Sequence, residues 1–313
     1  MSLARALDLA AAASGRAYPK PTVGAVVMQD GDVVAEGVTE AGGRHAEVVA
    51  LDAAGAAGRG STLYVTLEPC AHQGTTPPCT DRIIAEGVAR VVVGARDPNP
   101  QAAGGIEALR AAGVEVELLD AWEARRQNEA WRVWVSERRP FVTYKAAVTL
   151  DGSVVVPGRR WVSGEESRRL VHELRATSDA VAVGMGTVRA DSPRLDARDV
   201  AVSRGQPRRL AFGRGPLPDG SELELRSGPL ADEMRALAAE GVQSLLLEGG
   251  PTVATAFLEA GLVDKLLVFV APVLAGAEGF GPLVRPGSTR MLSHLSSRLV
   301  GTDVLLEAYA REL

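Results

Sequence analysis

Apolar and polar positions along this chain follow two rhythms, one of period two and one close to 3.6, and their alternation is the first thing the sequence shows. From Thr22, the stretch TVGAVVMQDGDVVAEG sets two apolar runs around Asp30-Gly31, which predicts a β-hairpin. The runs STLYVTLEP, RVVVGARDP and VEVELL read as strands, with AEVVALDAAGAAG, CTDRIIAEGV and GGIEALRAAGV as the helices between them. Such alternation predicts a three-layer α/β domain with helices on both faces of a sheet. The stretch DAWEARRQNEAWRVWVSE reads as one long helix, after which Glu137-Arg138-Arg139-Pro140 ends in proline and a new strand begins at Phe141. The domain boundary is placed there, dividing the chain into residues 1–138 and 139–313. The second half repeats the α/β rhythm through FVTYKAAVTLDG, a helix SGEESRRLVHELRA, DAVAVGMGTV, a helix LADEMRALAAEG, QSLLLEGG, a helix TVATAFLEAG and DKLLVFVAP. No internal repeat relates the two halves.

Composition fits that division, since 313 residues at 46% apolar and 23% charged can build two cores. A net charge of -5 argues against a nucleic-acid-binding face, which needs clustered Lys and Arg, and favours a small-molecule partner. The N-terminal MSLARALDLAAAASGRAYP is interrupted by Arg5 and Asp8, so it reads as an amphipathic helix and not as a signal peptide. No apolar run approaches about 20 residues, so no membrane span is expected. Two cysteines without a secretory context point to a reducing cytoplasm, where a close pair suggests a metal or redox site before a disulfide.

Both cysteines, Cys70 and Cys79, lie in LEPCAHQGTTPPC. Alone they could be two buried apolar residues. The stretch GGRHAEVVAL changes the reading, because His45 opens a helix and Glu47 follows two residues later. One histidine and two thiolates are three zinc ligands, with the fourth tetrahedral position left to water, as in a catalytic site. A carboxylate beside the metal can carry a proton between water and a departing amine, and Glu47 suits that role in the H-x-E then P-C pattern of zinc-dependent nucleobase deaminases. This requires the helix to aim its N-terminus at the metal, since positions two apart share no helix face. Cys79 likewise opens a helix, and two positive helix ends favour thiolates. The structural alternative is a closed four-ligand zinc with His72 as the fourth donor.

Eight residues separate the cysteines, where ordinary nucleobase deaminases have two. With PTVGAVV, HAEVVAL, VTLEPC and DPNP, that loop resembles the N-terminal domain of the bifunctional riboflavin-biosynthesis deaminase/reductases. In the second half VGMGTV and LEGGPT are weak signals alone, and neither fits the G-x-G-x-x-G of a Rossmann unit. The order KAAVTLDG, Trp161-Val162-Ser163, HELRATSDAVAVGMGTVRADSP, LLLEGGPTVATAFLEAGLVD and APVLAG resembles the reductase domain of the same family. The resemblance implies a cytidine-deaminase-like three-layer α/β/α domain followed by a dihydrofolate-reductase-like α/β domain. It also implies one zinc ion per chain, NADPH as cofactor, and 2,5-diamino-6-(5-phosphoribosylamino)pyrimidin-4-one as substrate. That molecule would be deaminated at its 2-amino group and then reduced from ribosyl to ribityl. By motif match, Lys145, Arg175, Leu195, Arg198 and Glu248 would hold substrate, with the arginines on the phosphate and Glu248 on sugar hydroxyls. Ala147, Trp161, Thr187, Asp191 and the turn Gly249-Gly250-Pro251-Thr252 would line the cofactor, and self-association is implied as well. The bland alternatives are a solvated Arg175 and a core Trp161.

The chain departs from the family pattern at four places. Pro19-Lys20-Pro21 stands where an asparagine is usual, so a donor-only ammonium replaces an amide that could meet the pyrimidine ring. Thr75 stands where a cation is usual in the zinc loop. VVPGRRW replaces a small hydroxyl before the tryptophan with Arg159 and Arg160. The stretch QPRRLAFGRGPLPDGSELELRSG is shorter than its counterpart, which in this fold helps hold the adenosine end of the cofactor. His172 and His294 carry no signal, the first on a helix facing core and the second in a loop.

Overall fold

Asp30 and Gly31 both take positive φ, 53° and 92°, and this left-handed pair turns strand β1 (Gly24–Gln29) back into strand β2 (Asp32–Val38), following helix α1 (Ser2–Ala12). The computed structural model describes residues 2–73, 77–276, 283–284 and 286–313. The chain divides into two units, Met1–Glu137 with Leu313, and Arg138–Glu312.

The first unit continues through α2 (Ala46–Ala54), β3 (Thr62–Val65), α3 (Cys79–Glu86), β4 (Arg90–Val93), α4 (Gly105–Ala111), β5 (Glu115–Leu118), α5 (Trp122–Gln127) and α6 (Glu129–Glu137). Its sheet has the order β2-β1-β3-β4-β5, antiparallel at the hairpin side and parallel from β3 to β5. Glycines set the layers. Gly37 pairs with Ala25, one residue along from Gly24 on β1, so Gly24 and Gly37 look to opposite faces. A Cβ on Gly24 would strike the Ala6 carbonyl of α1, and one on Gly37 the Ala46 carbonyl of α2. Helices thus cover both faces at backbone-contact range, which gives the three-layer α/β/α arrangement. Leu51, Leu63, Val65, Ile83, Val91, Ile106 and Leu109 fill the core.

The helix expected across residues 120–137 is instead two, α5 and α6, broken at Asn128 (φ -120°, ψ 34°). The Asn128 side chain explains the break: its Oδ1 accepts from the Thr22 N–H (2.9 Å) and its Nδ2 donates to the Thr22 carbonyl (3.0 Å), an amide-to-backbone pair 106 residues apart.

The second unit runs β6 (Phe141–Thr149), α7 (Glu165–Thr177), β7 (Ala180–Gly184), α8 (Met185–Asp191), β8 (Arg208–Phe212), β9 (Glu224–Arg226), α9 (Leu230–Ala239), β10 (Ser244–Leu247), α10 (Pro251–Glu259), β11 (Lys265–Ala271), β12 (Ser293–Val300) and β13 (Asp303–Tyr309). Six parallel strands in the order β11-β6-β10-β7-β8-β9 gain an antiparallel extension, β13 then β12, on the β11 side. Period-two alternation in β10 sorts the faces. Leu245 and Leu247 pack with Met234, Leu237 and Phe257 of α9 and α10, while Leu246 packs with Met185 and Val188 of α8. Helix α7 covers Leu267 and Phe269 through Val171.

Four features of this unit differ from the sequence reading. DAVAVGMGTV splits into β7 and α8. The short stretch 206–228 still holds both β8 and β9. The C-terminal hairpin β12–β13 was not predicted. His294 lies in β12, at a bulge with φ 49°, and not in a loop. Asp264, fully buried, ties the start of β6 to the end of β13. It accepts from Arg139 Nη1 (2.7 Å) and Nη2 (2.6 Å), from the Val142 N–H (2.8 Å) and from Arg311 Nε (2.5 Å).

Candidate active sites

His45 is the N-cap of α2, and Cys79 is the first residue of α3. The two helix starts bring their side chains to one point, which Cys70 reaches from the end of the β3 segment. His45 Nδ1 lies 3.1 Å from Cys79 Sγ and 3.6 Å from Cys70 Sγ, and the Cys79 N–H points at Cys70 Sγ (3.4 Å). The three donor atoms lie within 4.8 Å of one another. A tetrahedral zinc with bonds of about 2.3 Å to sulfur and about 2.0 Å to nitrogen needs ligand separations of about 3.5–3.8 Å; the His45–Cys70 distance of 3.6 Å falls in that range, and the His45–Cys79 distance of 3.1 Å lies just below it. The donor set therefore fits zinc. His72 is exposed and outside the cluster, so among the described residues the set stops at three donors.

The electrostatics suit such a cation. A hydrogen bond from Cys79 holds Cys70 down to about 4, and the same bond together with burial pushes the Cys79 thiol up, so one proton is shared by the pair where a cation would sit. The bond to Cys70 likewise raises the His45 imidazole. Glu47, on the first turn of α2, is buried, and burial raises its carboxyl to about 7. His45, Glu47 and Cys70 line a cavity of about 320 Å³ with Lys20, Asp97, Asn99 and Trp131. Sequence reasoning quoted VTLEPC and DPNP but gave no role to the residues that shape this wall. Glu68, buried, accepts from the N–H groups of Gly104 and Ile106 at Oε1 and of Asp97 at Oε2, all at 3.1 Å. Asp97 in turn accepts from the Asn99 N–H (2.7 Å), and burial pushes its carboxyl up to about 6. An acidic residue directly before Pro69-Cys70 and an Asp-Pro-Asn turn were the available signals. Thr75 lies outside the described residues.

In the second unit a cavity of about 840 Å³ opens where β6, β7 and β10 end, the place where open parallel sheets bind ligands. Glu248, just past β10, is its charged centre. Arg175 forks it with Nε at 2.6 Å from Oε1 and Nη2 at 2.9 Å from Oε2, and Lys145 Nζ stands 3.9 Å from Oε2. Burial alone would raise Glu248, but the Arg175 bonds and the Lys145 charge outweigh it and its carboxyl lies below the ordinary value; burial pulls the Lys145 ammonium down. The turn Gly249-Gly250-Pro251 then opens α10. A Cβ on Gly249 would strike Val253 and come within 3.4 Å of the Gly184 nitrogen, and one on Gly184 would press on the same Val253 side chain, so these two glycines let EGGPT and VGMGTV pack closely.

Two domain families match the chain. Residues 2–95 match the cytidine and deoxycytidylate deaminase zinc-binding region, and residues 140–306 match the RibD C-terminal domain. The riboflavin biosynthesis protein RibD of Aquifex aeolicus is 39% identical over 306 residues, covering 87% of this chain and 86% of the relative. The chain belongs to the RibD family. RibD of Escherichia coli is 35% identical, with 97% of each chain covered. A crystal structure from Thermotoga maritima, described as a diaminohydroxyphosphoribosylaminopyrimidine deaminase/5-amino-6-(5-phosphoribosylamino)uracil reductase, superposes with a TM-score of 0.80 at 33% identity, covering 98% of this chain and 97% of that one. As a RibD protein, the chain is a bifunctional deaminase and reductase of riboflavin biosynthesis, with a zinc-binding deaminase domain before its reductase domain.

Twelve of the thirteen reductase residues expected from the RibD resemblance line one cavity: Lys145, Ala147, Trp161, Arg175, Thr187, Asp191, Leu195, Arg198, Glu248, Gly249, Gly250 and Pro251. Thr252 is not among the lining residues; as the second residue of α10 it is exposed. Arg175 is neither solvated nor free, being committed to Glu248 and to the Asp196 carbonyl (3.1 Å). Trp161 is not core but 54% exposed. Leu195 is buried with φ 55°, a left-handed conformation costly for a branched apolar residue. His172 does not face core: its Nδ1 accepts from the Arg198 N–H (3.2 Å), holding the Arg198 segment against α7. No helix of the described residues is long and apolar enough to cross a membrane.

Proposed function

We propose that the first unit replaces the 2-amino group of 2,5-diamino-6-(5-phosphoribosylamino)pyrimidin-4-one by oxygen, releasing ammonia. The second unit then reduces the open-chain ribosyl group of the product to ribityl with NADPH. The observation that carries the first step is the burial of Glu47 beside the His45, Cys70 and Cys79 cluster, with His45, Glu47 and Cys70 on one cavity wall.

In this reading His45 Nδ1 and the two thiolates hold one zinc ion per chain. Zinc, when bound there, supplies the Lewis acidity that readies a water for attack on a ring carbon. Glu47 accepts the water proton on its carboxylate and returns it to the departing amine. A carboxyl raised to about 7 by burial suits both halves of that transfer near neutral pH. Lys20 reaches the same cavity, so its ammonium supports a contact to the phosphate end of the substrate in place of a ring contact.

In the second cavity the contacts of Arg175 and Lys145 with Glu248 support a carboxylate oriented toward sugar hydroxyls, with Arg198 available to the phosphate. Leu195 packs against the bound sugar. NADPH, when bound, supplies the hydride. Ala147, Trp161, Thr187, Asp191 and the Gly249-Gly250-Pro251 turn line its place, and a volume of about 840 Å³ accommodates two ligands. Thiolate ligands suit a reducing cytoplasm. Leu295 and Leu299, exposed on the edge strand β12, support self-association.

The test follows ammonia release and NADPH oxidation separately on the zinc-loaded chain with this substrate. Ammonia first and NADPH loss second are expected; no ammonia from zinc-loaded protein would mean a different substrate.

A further inference from the structure

Among the described residues five cationic side chains line the second cavity, and four of them face carboxylates. Arg175 and Lys145 answer to Glu248, and Arg194 and Arg198 to Asp196. Among the described residues Arg160 faces none. Its guanidinium instead lies 4.9 Å from the centroid of the Trp161 ring. Arg168, on the first turn of α7, brings a second guanidinium to 5.7 Å from the same centroid. Arg168 donates to the Ser163 carbonyl (2.8 Å) and, among the described residues, also faces no carboxylate. Asp303, the carboxylate at the start of α7, is buried and committed to the Gly164 N–H (2.8 Å) and the Ser167 hydroxyl (2.6 Å). It anchors this segment without neutralising the two arginines.

Two like charges gathered on one ring repel, and each guanidinium keeps free N–H donors in a planar fork. Cation–π attraction to Trp161 fixes the forks where the cavity meets solvent. A planar fork pairs two N–H groups with two phosphate oxygens, and a phosphate is the anion that relieves the repulsion. We propose that Arg160 and Arg168, oriented by Trp161, form a phosphate-binding clamp at the edge of the reductase cavity. The ligand class is a phosphate ester, carried either by the dinucleotide or by the phosphoribosyl substrate. The proposal rests on the reductase reading of this cavity.

The test uses the zinc-loaded full chain, with urea unfolding of the second unit as the folding control because Arg160 and Arg168 belong to it. NADPH binding is followed by fluorescence, Trp161 being the one tryptophan after residue 138, with Trp161→Phe as the blank. The KM of the reductase substrate and competition by inorganic phosphate are measured alongside. Loss of a charge-assisted bond predicts that Arg160→Ala weakens one phosphate ligand about ten- to a hundredfold. Arg160→Lys should restore only part of this, since an ammonium cannot fork. Weaker NADPH binding at unchanged substrate KM assigns the clamp to the cofactor, and the reverse assigns it to the substrate. Unchanged NADPH binding, substrate KM and phosphate competition in both Arg160→Ala and the Arg160→Ala/Arg168→Ala double variant overturn the clamp. A wild-type chain that neither binds nor oxidises NADPH would defeat the reductase reading instead. Calorimetry with inorganic phosphate then decides the clamp: binding lost in the double variant supports it, and equal binding overturns it.

Discussion

Gly37→Ala should disable the deaminase from a position that touches no ligand. The added Cβ would lie 2.5 Å from the Ala50 nitrogen and 3.0 Å from the Ala50 Cβ of α2, and closer still to the Ala46 carbonyl. These neighbours are mostly helix backbone, so no rotamer change relieves the contact. Restoring a separation near 3.5 Å moves α2 by about 1 Å. The displaced end of α2 carries His45 as its N-cap and Glu47 on its first turn. Overpacking of this kind costs about 1–3 kcal/mol in stability. A misplacement of about 1 Å at reacting groups costs on the order of a hundredfold in rate. The assay is ammonia release at saturating substrate, beside zinc content and urea unfolding of the first transition. NADPH oxidation with the deaminated substrate supplied should be unaffected, because Gly37 lies in the other unit. Ammonia release at the wild-type rate with a full complement of zinc would refute the claim that α2 is seated by this glycine.

Three further outcomes follow from buried charges. Asp264→Ala leaves Arg139 buried without its carboxylate and should cost about 3–5 kcal/mol in urea unfolding of the second unit; a change under 1 kcal/mol would contradict the role of this anchor. Glu248→Gln removes one charge-assisted bond from the Arg175 fork and should lower kcat/KM for NADPH oxidation about ten- to a hundredfold, ammonia release being unchanged. For Asp97, burial lifts the folded carboxyl from 3.8 to about 6. Between about pH 4 and 6 the folded state keeps a proton that the unfolded chain has lost, so the stability contributed by this group falls as pH rises through that window. At roughly 1.4 kcal/mol per unit the loss is on the order of 2–3 kcal/mol. Urea titrations of Asp97→Asn against the wild type should show it as a difference that grows from pH 4 to 6 and then levels off.

Much of the first unit was legible because its signals are local. The Asp30-Gly31 turn, the helix that His45 opens and the cysteines at element ends are each read within a dozen residues. Asn128 was not legible, since what breaks the helix is Thr22, far away in sequence. Strand β12 was missed for a different reason. As an edge strand with nearly every side chain exposed, SHLSSRLV has no buried face to impose alternation. In the second cavity the residues expected by motif converge, Thr252 excepted, but their charges pair in a way the motifs do not reveal. Arg175 and Glu248 lie 73 positions apart, and only the fold shows that the arginine is engaged by the glutamate. Glu68 and Asp97 were overlooked because an acidic residue before a proline reads as loop chemistry until its backbone partners are known.

The most direct measurement of the central claim is ammonia release by zinc-loaded Glu47→Gln, with metal content determined on the same sample. The amide keeps the size of the side chain and cannot carry the proton. The account predicts one zinc per chain, ammonia release lowered by about a thousandfold or more, and NADPH oxidation intact when deaminated substrate is supplied. Wild-type ammonia release from the zinc-loaded variant would contradict it.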